Sequence, residues 1–533
     1  MIKKIFIFTA GLLCFITLSC KSIKQPSSIV EAIDYTNEDI VQNEIRYIRD
    51  LQKDNCVKAL YRAVFLGREE IKNECIETVK TKVIEAVKDK QFVQADRYLK
   101  SLSNIGINYE PEQEINLEWN VPGLSNVDKS KLPATIQNCI DATVTVWVDR
   151  GLKVENGAGL WDIVIGSGFF IDKRGYLVTN HHVIQAMVDP KDEKYSRLYI
   201  KLPSDMETKI PAKVVGYDPV IDLALLKVEY EPEFIFELGS SSDLSVGAKI
   251  SAIGTPLGLE GTLTSGIISS VSRKLFTKGN VFQIDAAVNS GNSGGPIIDE
   301  DMKVQAIVFA GIQTYQGLNF AIPVEYLKQE LPLLYSGQSI SHTWISAYGH
   351  TKKLRNQQLG VEIQYVMPGG SAAFAGLKEG DLLTKVDNID IKSLEDFQMV
   401  LMKYPAGIIV PCTYVRDEEE KDSILLLEKR GDKPLLKIFN SDFIQDSFVP
   451  IFGIKMVPSS TTNKKSYRIT KVINGSVADE NGFSENDTIE VHDVIFDNEN
   501  NRIIAQIYIS RRKKGYLKVP MLISAPYDSP YYL

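Results

Sequence analysis

The sequence predicts a multidomain fold: an α-helical N-terminal region, an all-β middle of many short strands, and small mixed modules towards the end. Three observations carry this. At 533 residues the chain is too long for one hydrophobic core. Apolar residues recur at three- and four-residue spacing near the start, and the period changes to two from Ala142. Beyond the β-rich middle, strand-like runs mix with small-residue helices and Gly-Asp turns.

Taken in order, the chain opens with Lys3 and Lys4, an apolar run from Ile5 to Leu18, and then Ser19 and Cys20. A run this short is the core of a signal peptide (1–19) rather than a membrane span. Leu18-Ser19-Cys20 resembles a bacterial lipobox, which implies lipidation of Cys20, a membrane anchor and an envelope, periplasmic location. The apolar fraction of 44% and charged fraction of 24% exclude wholesale disorder and a polytopic membrane protein. A net charge of −8 gives no reason to expect nucleic acid. Arg511-Arg512-Lys513-Lys514 reads as a solvated turn. Cys56, Cys75, Cys139 and Cys412 form no CxxC pair and have no His at ligand spacing, so neither a disulfide scaffold nor a metal site is expected, and no cofactor is implied. Cys56 and Cys75 read as buried thiols on helices, with pairing in an oxidising compartment as the alternative.

Region 20–109 has long runs free of Gly and Pro and is expected to be helical. Ile48, Leu51, Ala59 and Ala63 echo Ile84, Val87, Ala95 and Leu99 at a constant offset (84 − 48 = 36), near the period of helix-turn-helix repeats. Such a region is either a plain bundle or a partner-binding module. Region 110–133, rich in Pro, Asn, Gly and charge, is expected to be a linker. From Ala142, Val144, Val146 and Val148 alternate with Thr145, Trp147 and Asp149. Further short runs follow at Ile163–Ile171, Leu198–Leu202, Ala212–Val215, Ala224–Val228, Ala248–Ile253, Gly266–Ser272 and Val304–Phe309. Many short strands in about 200 residues predict a β-barrel or sandwich.

The sharpest local motif is Gly291-Asn292-Ser293-Gly294-Gly295-Pro296. A nucleophilic serine needs a tight turn with main-chain N–H groups aimed where an oxyanion forms, and glycines permit that turn. Ser293 is the candidate nucleophile, with the N–H groups of Gly291, Asn292 and Ser293 as the oxyanion hole. Its base must be a histidine within reach. Of five histidines, His181 and His182 lie in the β-rich segment, and local physics does not choose between them. The carboxylate that orients the base is Asp222, at the start of an apolar strand; Asp218, before Pro219, is its rival and reads better as turn chemistry. The order His, Asp, Ser is that of the chymotrypsin type.

Thr179-Asn-His-His-Val, Asp222-Leu-Ala-Leu-Leu, Ala252-Ile-Gly-Thr-Pro-Leu-Gly258, Thr264-Ser-Gly-Ile-Ile268, Gly291-Asn-Ser-Gly-Gly-Pro296 and Asn319-Phe-Ala-Ile-Pro323 together resemble the successive landmarks of the HtrA/DegP family of envelope proteases. The resemblance implies a chymotrypsin-like double β-barrel protease over 134–335, with His182, Asp222 and Ser293 as the triad. It also implies ATP-independent cleavage of unfolded polypeptides, a homotrimer or higher oligomer, and PDZ domains after the protease. Ser290 stands where the family usually has Pro, and the first two strands are joined by a short connection, Gly151 to Asp162. The segment Leu359–Asp387 resembles a PDZ core (340–432), whose nearest carboxylate-binding loop is Trp344-Ile345-Ser346-Ala347. Phe452-Gly453-Ile454, followed by Gly475-Ser-Val-Ala478, resembles a second, diverged PDZ domain (445–533) with its loop tripeptide intact. Phe452, Gly453 and Ile454 are therefore the expected substrate-binding residues, and peptide C-termini the expected ligands. The alternative function is a chaperone or PDZ scaffold with little proteolysis.

Overall fold

The computed structural model describes residues 37–111, 121–125, 127–155, 158–189, 196–241, 244–255, 261–274, 279–289, 291–311, 318–460, 465–512 and 516–533. The expected signal peptide and Cys20 lie outside them. The described chain divides into two compact units. The larger holds residues 37–363, Gly370–Arg430 and Leu533; the smaller holds Gln364–Gly369 and Gly431–Tyr532.

The larger unit begins with four helices, α1 (Glu38–Asp54), α2 (Cys56–Leu66), α3 (Glu69–Lys88) and α4 (Phe92–Ser103). Asn37 and Asn55 cap the first two with their side chains, supplying the acceptors that a helix start needs. Gly67 ends α2 at φ 67°, a left-handed cap. Cys56 and Cys75 are buried free thiols on α2 and α3, and burial pushes the Cys75 thiol up to about 12. The 36-residue offset does not hold as a packing register: Ile48 is fully buried, whereas its counterpart Ile84 is 55% exposed and the neighbouring Val83 takes the core position. The helices share one apolar core with Ile409 and Leu426 of a downstream sheet. Tyr61 Oη donates to the main-chain oxygens of Ser371 and Ile424 at 2.8 and 3.2 Å. Lys58 pairs with Glu428 at 2.6 Å, and Asn104 Nδ2 donates to Ile409 O. Region 20–109 is thus docked, where described, through a common hydrophobic core.

Part of the expected linker is also structural. Val121 is 4% exposed and packs in the core with Phe169 and Ile171. Helix α5 (Ile136–Asp141), capped by Thr135, leads into the β-rich part. There, β1 (Thr143–Glu155), β2 (Ala158–Asp172), β3 (Tyr176–Thr179), β4 (Arg197–Leu202), β5 (Asp205–Asp218) and β6 (Leu223–Val228) pair in the order β5-β4-β1-β2-β3-β6. A β5–β6 pairing closes this first barrel. A second closed barrel runs β10-β11-β12-β9-β8-β7, from β7 (Lys249–Gly254), β8 (Thr262–Arg273), β9 (Val281–Ile284), β10 (Pro296–Ile298), β11 (Val304–Gly311) and β12 (Asn319–Pro323). This is the double β-barrel. Val144, Val146 and Val148 are fully buried, as their alternation requires. Within the short connection Gly151–Asp162 the described residues are strand: β1 and β2 continue as a ribbon pairing Leu152 with Trp161 and Lys153 with Leu160. Helix α6 (His181–Val188) follows β3, and α7 (Val324–Tyr335) packs Leu327, Leu331 and Leu334 into the core shared by the two barrels.

After β13 (Gln338–Ser339), a further sheet forms from β14 (Thr343–Trp344), β15 (Ala347–Leu354), β16 (Gln357–Val366), β17 (Leu382–Val386), β19 (Ile408–Arg416) and β20 (Glu419–Lys429), in the order β14-β20-β19-β17-β16-β15. Strand β18 (Ile389–Asp390) pairs with β17. Two helices belong with this sheet, α8 (Ser371–Phe374) and α9 (Leu394–Met402), the latter opened by a Ser393/Asp396 capping box. This is the PDZ layout, and β15 is an edge strand.

The longer stretch of the smaller unit runs from Gly431 to Tyr532. Two helices, α10 (Pro434–Ser441) and α11 (Ile444–Phe452), precede a five-stranded antiparallel sheet in sequence order: β21 (Ile454–Pro458), β22 (Ser466–Val472), β23 (Thr488–Asp497), β24 (Arg502–Arg512) and β25 (Tyr516–Pro526). A short helix, α12 (Val477–Glu480), lies between β22 and β23.

Tyr61→Phe removes one hydroxyl that satisfies two main-chain carbonyls. It should lower the unfolding free energy of the larger unit by about 1–2 kcal/mol, read as a shifted urea midpoint with an unchanged slope.

Candidate active site

The site is assembled from the ends of β2, β3 and β6 and from the turn before β10. Asp222 sits just before β6, only 6% exposed, with φ 64°, a left-handed conformation unusual for a non-glycine residue. All of its acceptors are used. Its carboxylate takes His182 Nδ1 at 2.6 Å and the His182 main-chain N–H at 2.7 Å. Its carbonyl takes Asn180 Nδ2 at 2.9 Å and the His181 N–H at 3.3 Å. The two histidines left open by local reasoning are thereby separated. His182 faces Asp222, whereas His181 stacks on Tyr217 at 5.3 Å between centroids, and burial lowers its pKa.

Ser293 reaches the same place through β2. Its carbonyl accepts the Ser167 N–H at 2.8 Å, and a Cβ added to Gly166 would meet both Ser293 O and the side chain of Val183, the residue after His182. Gly294 has φ 86°, and a Cβ there would collide with Ser167 O and Thr179 Oγ1. The Ser293 hydroxyl points to Phe309 O at 3.4 Å, and no hydrogen bond joins it to the His182 ring. His182 and Asp222 are therefore directly paired, with Ser293 adjacent and its hydroxyl turned aside.

Among the described residues, the N–H groups of Gly291 and Ser293 have no acceptor. That of Asn292 donates to Asn289 O at 3.1 Å. Asn292 is therefore corrected as an oxyanion donor in this conformation: its amide closes the turn, and its buried side chain fills space beside Gly254.

Sequence reasoning missed Ser167. This buried hydroxyl donates to Gly291 O at 2.7 Å and accepts the Thr255 N–H at 3.0 Å, so it ties the Ser293 turn to β2 and to the end of β7. The run Gly166-Ser167-Gly168 was the available signal, because small residues in a strand mark close backbone approach.

Asp218 has a different task from Asp222. One carboxylate oxygen accepts the Val220 and Ile221 N–H groups, which is turn chemistry, and the other pairs with His342 Nε2 at 2.7 Å in a fully buried position. Ligand atoms of Asp218, Glu330 and His342 lie within 4.8 Å of one another, the acid–histidine group among the described residues that could surround a cation. Burial alone would raise the Asp218 pKa. The charge of His342 and hydrogen bonds with His342, Glu330 and Val220 N–H outweigh it and hold the carboxyl down to about 2.

The expected peptide loop of the second PDZ domain is also corrected. Gly453 is the left-handed cap of α11 (φ 77°), and its N–H donates to Val449 O at 2.9 Å. Phe452 is fully buried against Phe448, and Ile454 is a buried strand residue. The tripeptide closes a helix and offers no free Gly453 amide to a carboxylate. Only a turn joins β23 to β24, where the first PDZ domain carries α9 as a groove wall.

Ser167→Ala strands the buried Gly291 carbonyl and Thr255 amide. A stability loss of about 1–3 kcal/mol is expected by chemical denaturation, with a larger fall in kcat than in 1/KM as the turn that carries Ser293 loosens. For Asp218 the folded pKa is depressed, so its contribution to stability is complete above the unfolded value near 4 and is lost as pH falls towards about 2. His342→Gln removes the charge that does most to offset burial, and the acid-unfolding midpoint followed by circular dichroism should move to higher pH.

Family models match four stretches: DUF8517, a domain of unknown function, at 39–119; the trypsin-like peptidase domain at 166–307; a PDZ domain at 362–406; and the TP0546 family PDZ domain at 435–527. A probable periplasmic serine endoprotease, DegP-like, of Marinomonas sp. is 31% identical over 343 residues, covering 61% of this chain and 70% of the relative. A protein of the same description from Rickettsia conorii is 35% identical over 276 residues, covering 48% and 52%, so the chain spans about half the length of that relative. Serine protease PepD of Mycobacterium tuberculosis is 35% identical over 54% of this chain and 64% of its own length. Among solved structures, the HtrA-type protease AlgW with decapeptide aligns with 56% of this chain and 99% of its own at 22% identity and a TM-score of 0.45. The chain belongs to the HtrA/DegP family of trypsin-like serine endoproteases that carry PDZ domains.

Proposed function

We propose that this chain is an ATP-independent serine endopeptidase of the bacterial cell envelope that cleaves unfolded or misfolded polypeptides, with Ser293 as nucleophile, His182 as general base and Asp222 as the orienting carboxylate. The observation that carries the reading is the double hold of Asp222 on His182, through ring Nδ1 and main-chain N–H, beside the strand that bonds Ser293. With Nδ1–H committed to Asp222, the other ring nitrogen, Nε2, is the one able to accept a proton. The 3.4 Å bond of Ser293 Oγ to Phe309 O is long and weak, so rotation of the hydroxyl towards His182 on substrate binding costs little.

In the reaction, Ser293 Oγ attacks the peptide carbonyl carbon as its proton passes to His182. The resulting oxyanion takes the N–H groups of Gly291 and Ser293, and Asp222 stabilises the imidazolium. Collapse breaks the C–N bond, and the leaving amine collects the proton from His182. Water then repeats the sequence on the acyl-enzyme, releasing the acid and free Ser293. Membership of the family supports an unfolded-protein substrate and a homotrimeric or higher assembly. The names of the relatives support a periplasmic location. The signal-like first twenty residues support attachment to a membrane through a lipid on Cys20.

Ser293→Ala should abolish casein cleavage while leaving the thermal unfolding midpoint within a few degrees. Asp222→Asn should lower kcat by about 10³–10⁴-fold. Undiminished cleavage by the Ser293→Ala chain would refute the assignment.

A further inference from the structure

The expected carboxylate loop of the first PDZ domain lacks the usual central glycine, yet it has the conformation that glycine normally supplies. Ser346 lies at φ 62° and is buried, directly after the fully buried Trp344 and Ile345. The Ile345 carbonyl is fixed by the Ala372 N–H at 2.9 Å. The N–H groups of Ile345 and Ala347 therefore face outward along the open edge of β15.

That edge is occupied. Ile345 N–H and Ala347 N–H donate to Leu533 O at 2.8 and 3.4 Å, and Leu533 N–H donates to Ala347 O at 2.9 Å. These bonds use only main-chain atoms of Leu533, the pattern by which an extended peptide adds to a sheet edge. The leucine side chain is 1% exposed, and a Cβ built on Gly349 would stand 2.9 Å from its Cδ1. Gly349, with no side chain, thus leaves the space that the leucine fills.

We propose that the peptide groove of the first PDZ domain is a self-occupied site. Leu533 of the same chain takes the position of an incoming extended peptide with an aliphatic residue at that place, so any such peptide binds by displacing it. A tethered segment acts at an effective concentration on the order of millimolar, which a free peptide must overcome. Competent groove is then a minor population, and apparent affinity falls in proportion. The second PDZ domain does not share this device, since its Gly453 amide is spent on Val449.

The test reads binding, not cleavage, and so stands apart from the peptidase assignment. Fluorescein-labelled Ser-Pro-Tyr-Tyr-Leu, the sequence of residues 529–533, is titrated into the full chain carrying Ser293→Ala, with fluorescence anisotropy as readout. The same background carrying Leu533→Asp, which sets a charge in an apolar pocket, or Leu533→Gly, which removes the side chain, should bind the probe at least about tenfold more tightly. A probe ending in Asp should bind none of the three. Equal affinity of altered and unaltered chains, absence of binding to all of them, or equal binding of the Asp-ended probe would each overturn the proposal.

Discussion

The active-site geometry depends on how Asp222 is held. A carboxylate taken out of water before an apolar strand needs compensating donors, and Asp222 has two of them from one residue, His182. Those two bonds fix both the position of the α6 N-terminus and the plane of the imidazole. They are possible because the backbone at Asp222 is left-handed, which turns the carbonyl towards Asn180 and His181 while the side chain meets His182. A non-glycine residue at φ 64° costs of order 1–3 kcal/mol, and it persists because four hydrogen bonds over-determine it. The strain is local, and the surrounding barrel supplies the rigidity: Leu223 and Leu225, which follow directly, are fully buried in the core between the barrels.

The second barrel needs an equally rigid link to the first, and Ser167 provides it. Strand β2 presents Gly166, Ser167 and Gly168 in succession where the turn 291–295 packs against it, and side chains at Gly166 or Gly168 would collide with Val183 or Val178 O. The Ser167 amide and hydroxyl then hold the carbonyls of Ser293 and Gly291 respectively. With both carbonyls tied back towards the first barrel, the Gly291 and Ser293 amides are left without acceptors among the described residues. The open amides of this turn are thus set by where its carbonyls go, while the Ser293 hydroxyl is held, among the described residues, only by the 3.4 Å bond to Phe309 O.

Much of this was legible in the sequence, for a physical reason. Triad chemistry demands particular residue types in short strings, and the alternation of Val144, Val146 and Val148 exposes the strand period directly. What could not be read were features settled by tertiary packing. The helical region looked separable because periodicity reports that a face is apolar and says nothing of what covers it; here Ile409 and Leu426 do. Local physics left His181 and His182 undecided, the resemblance pointed to His182, and the contact with Asp222 depends on the neighbouring strand. Asp218 was correctly placed in a turn, yet its pairing with His342, more than a hundred residues away, has no local signature.

The two PDZ loops make the same point in opposite directions. A glycine between apolar residues at 452–454 matched the expected loop, but a left-handed glycine is also the commonest way to end a helix, and that is its use here. Ser346 stood only in the nearest candidate loop, with no glycine to mark it, because serine rarely adopts positive φ. Its neighbours nonetheless hold it there: Trp344 is fully buried on one side, Ile345 O is bonded to Ala372, and Ala347 begins the edge strand. What a peptide-binding loop requires is outward-facing amides with no partner in their own sheet, and residue identity only makes that arrangement easier or harder to reach. In the first PDZ domain the amides of Ile345 and Ala347 meet that requirement and Leu533 satisfies them, so the groove is identified by the bonds it makes.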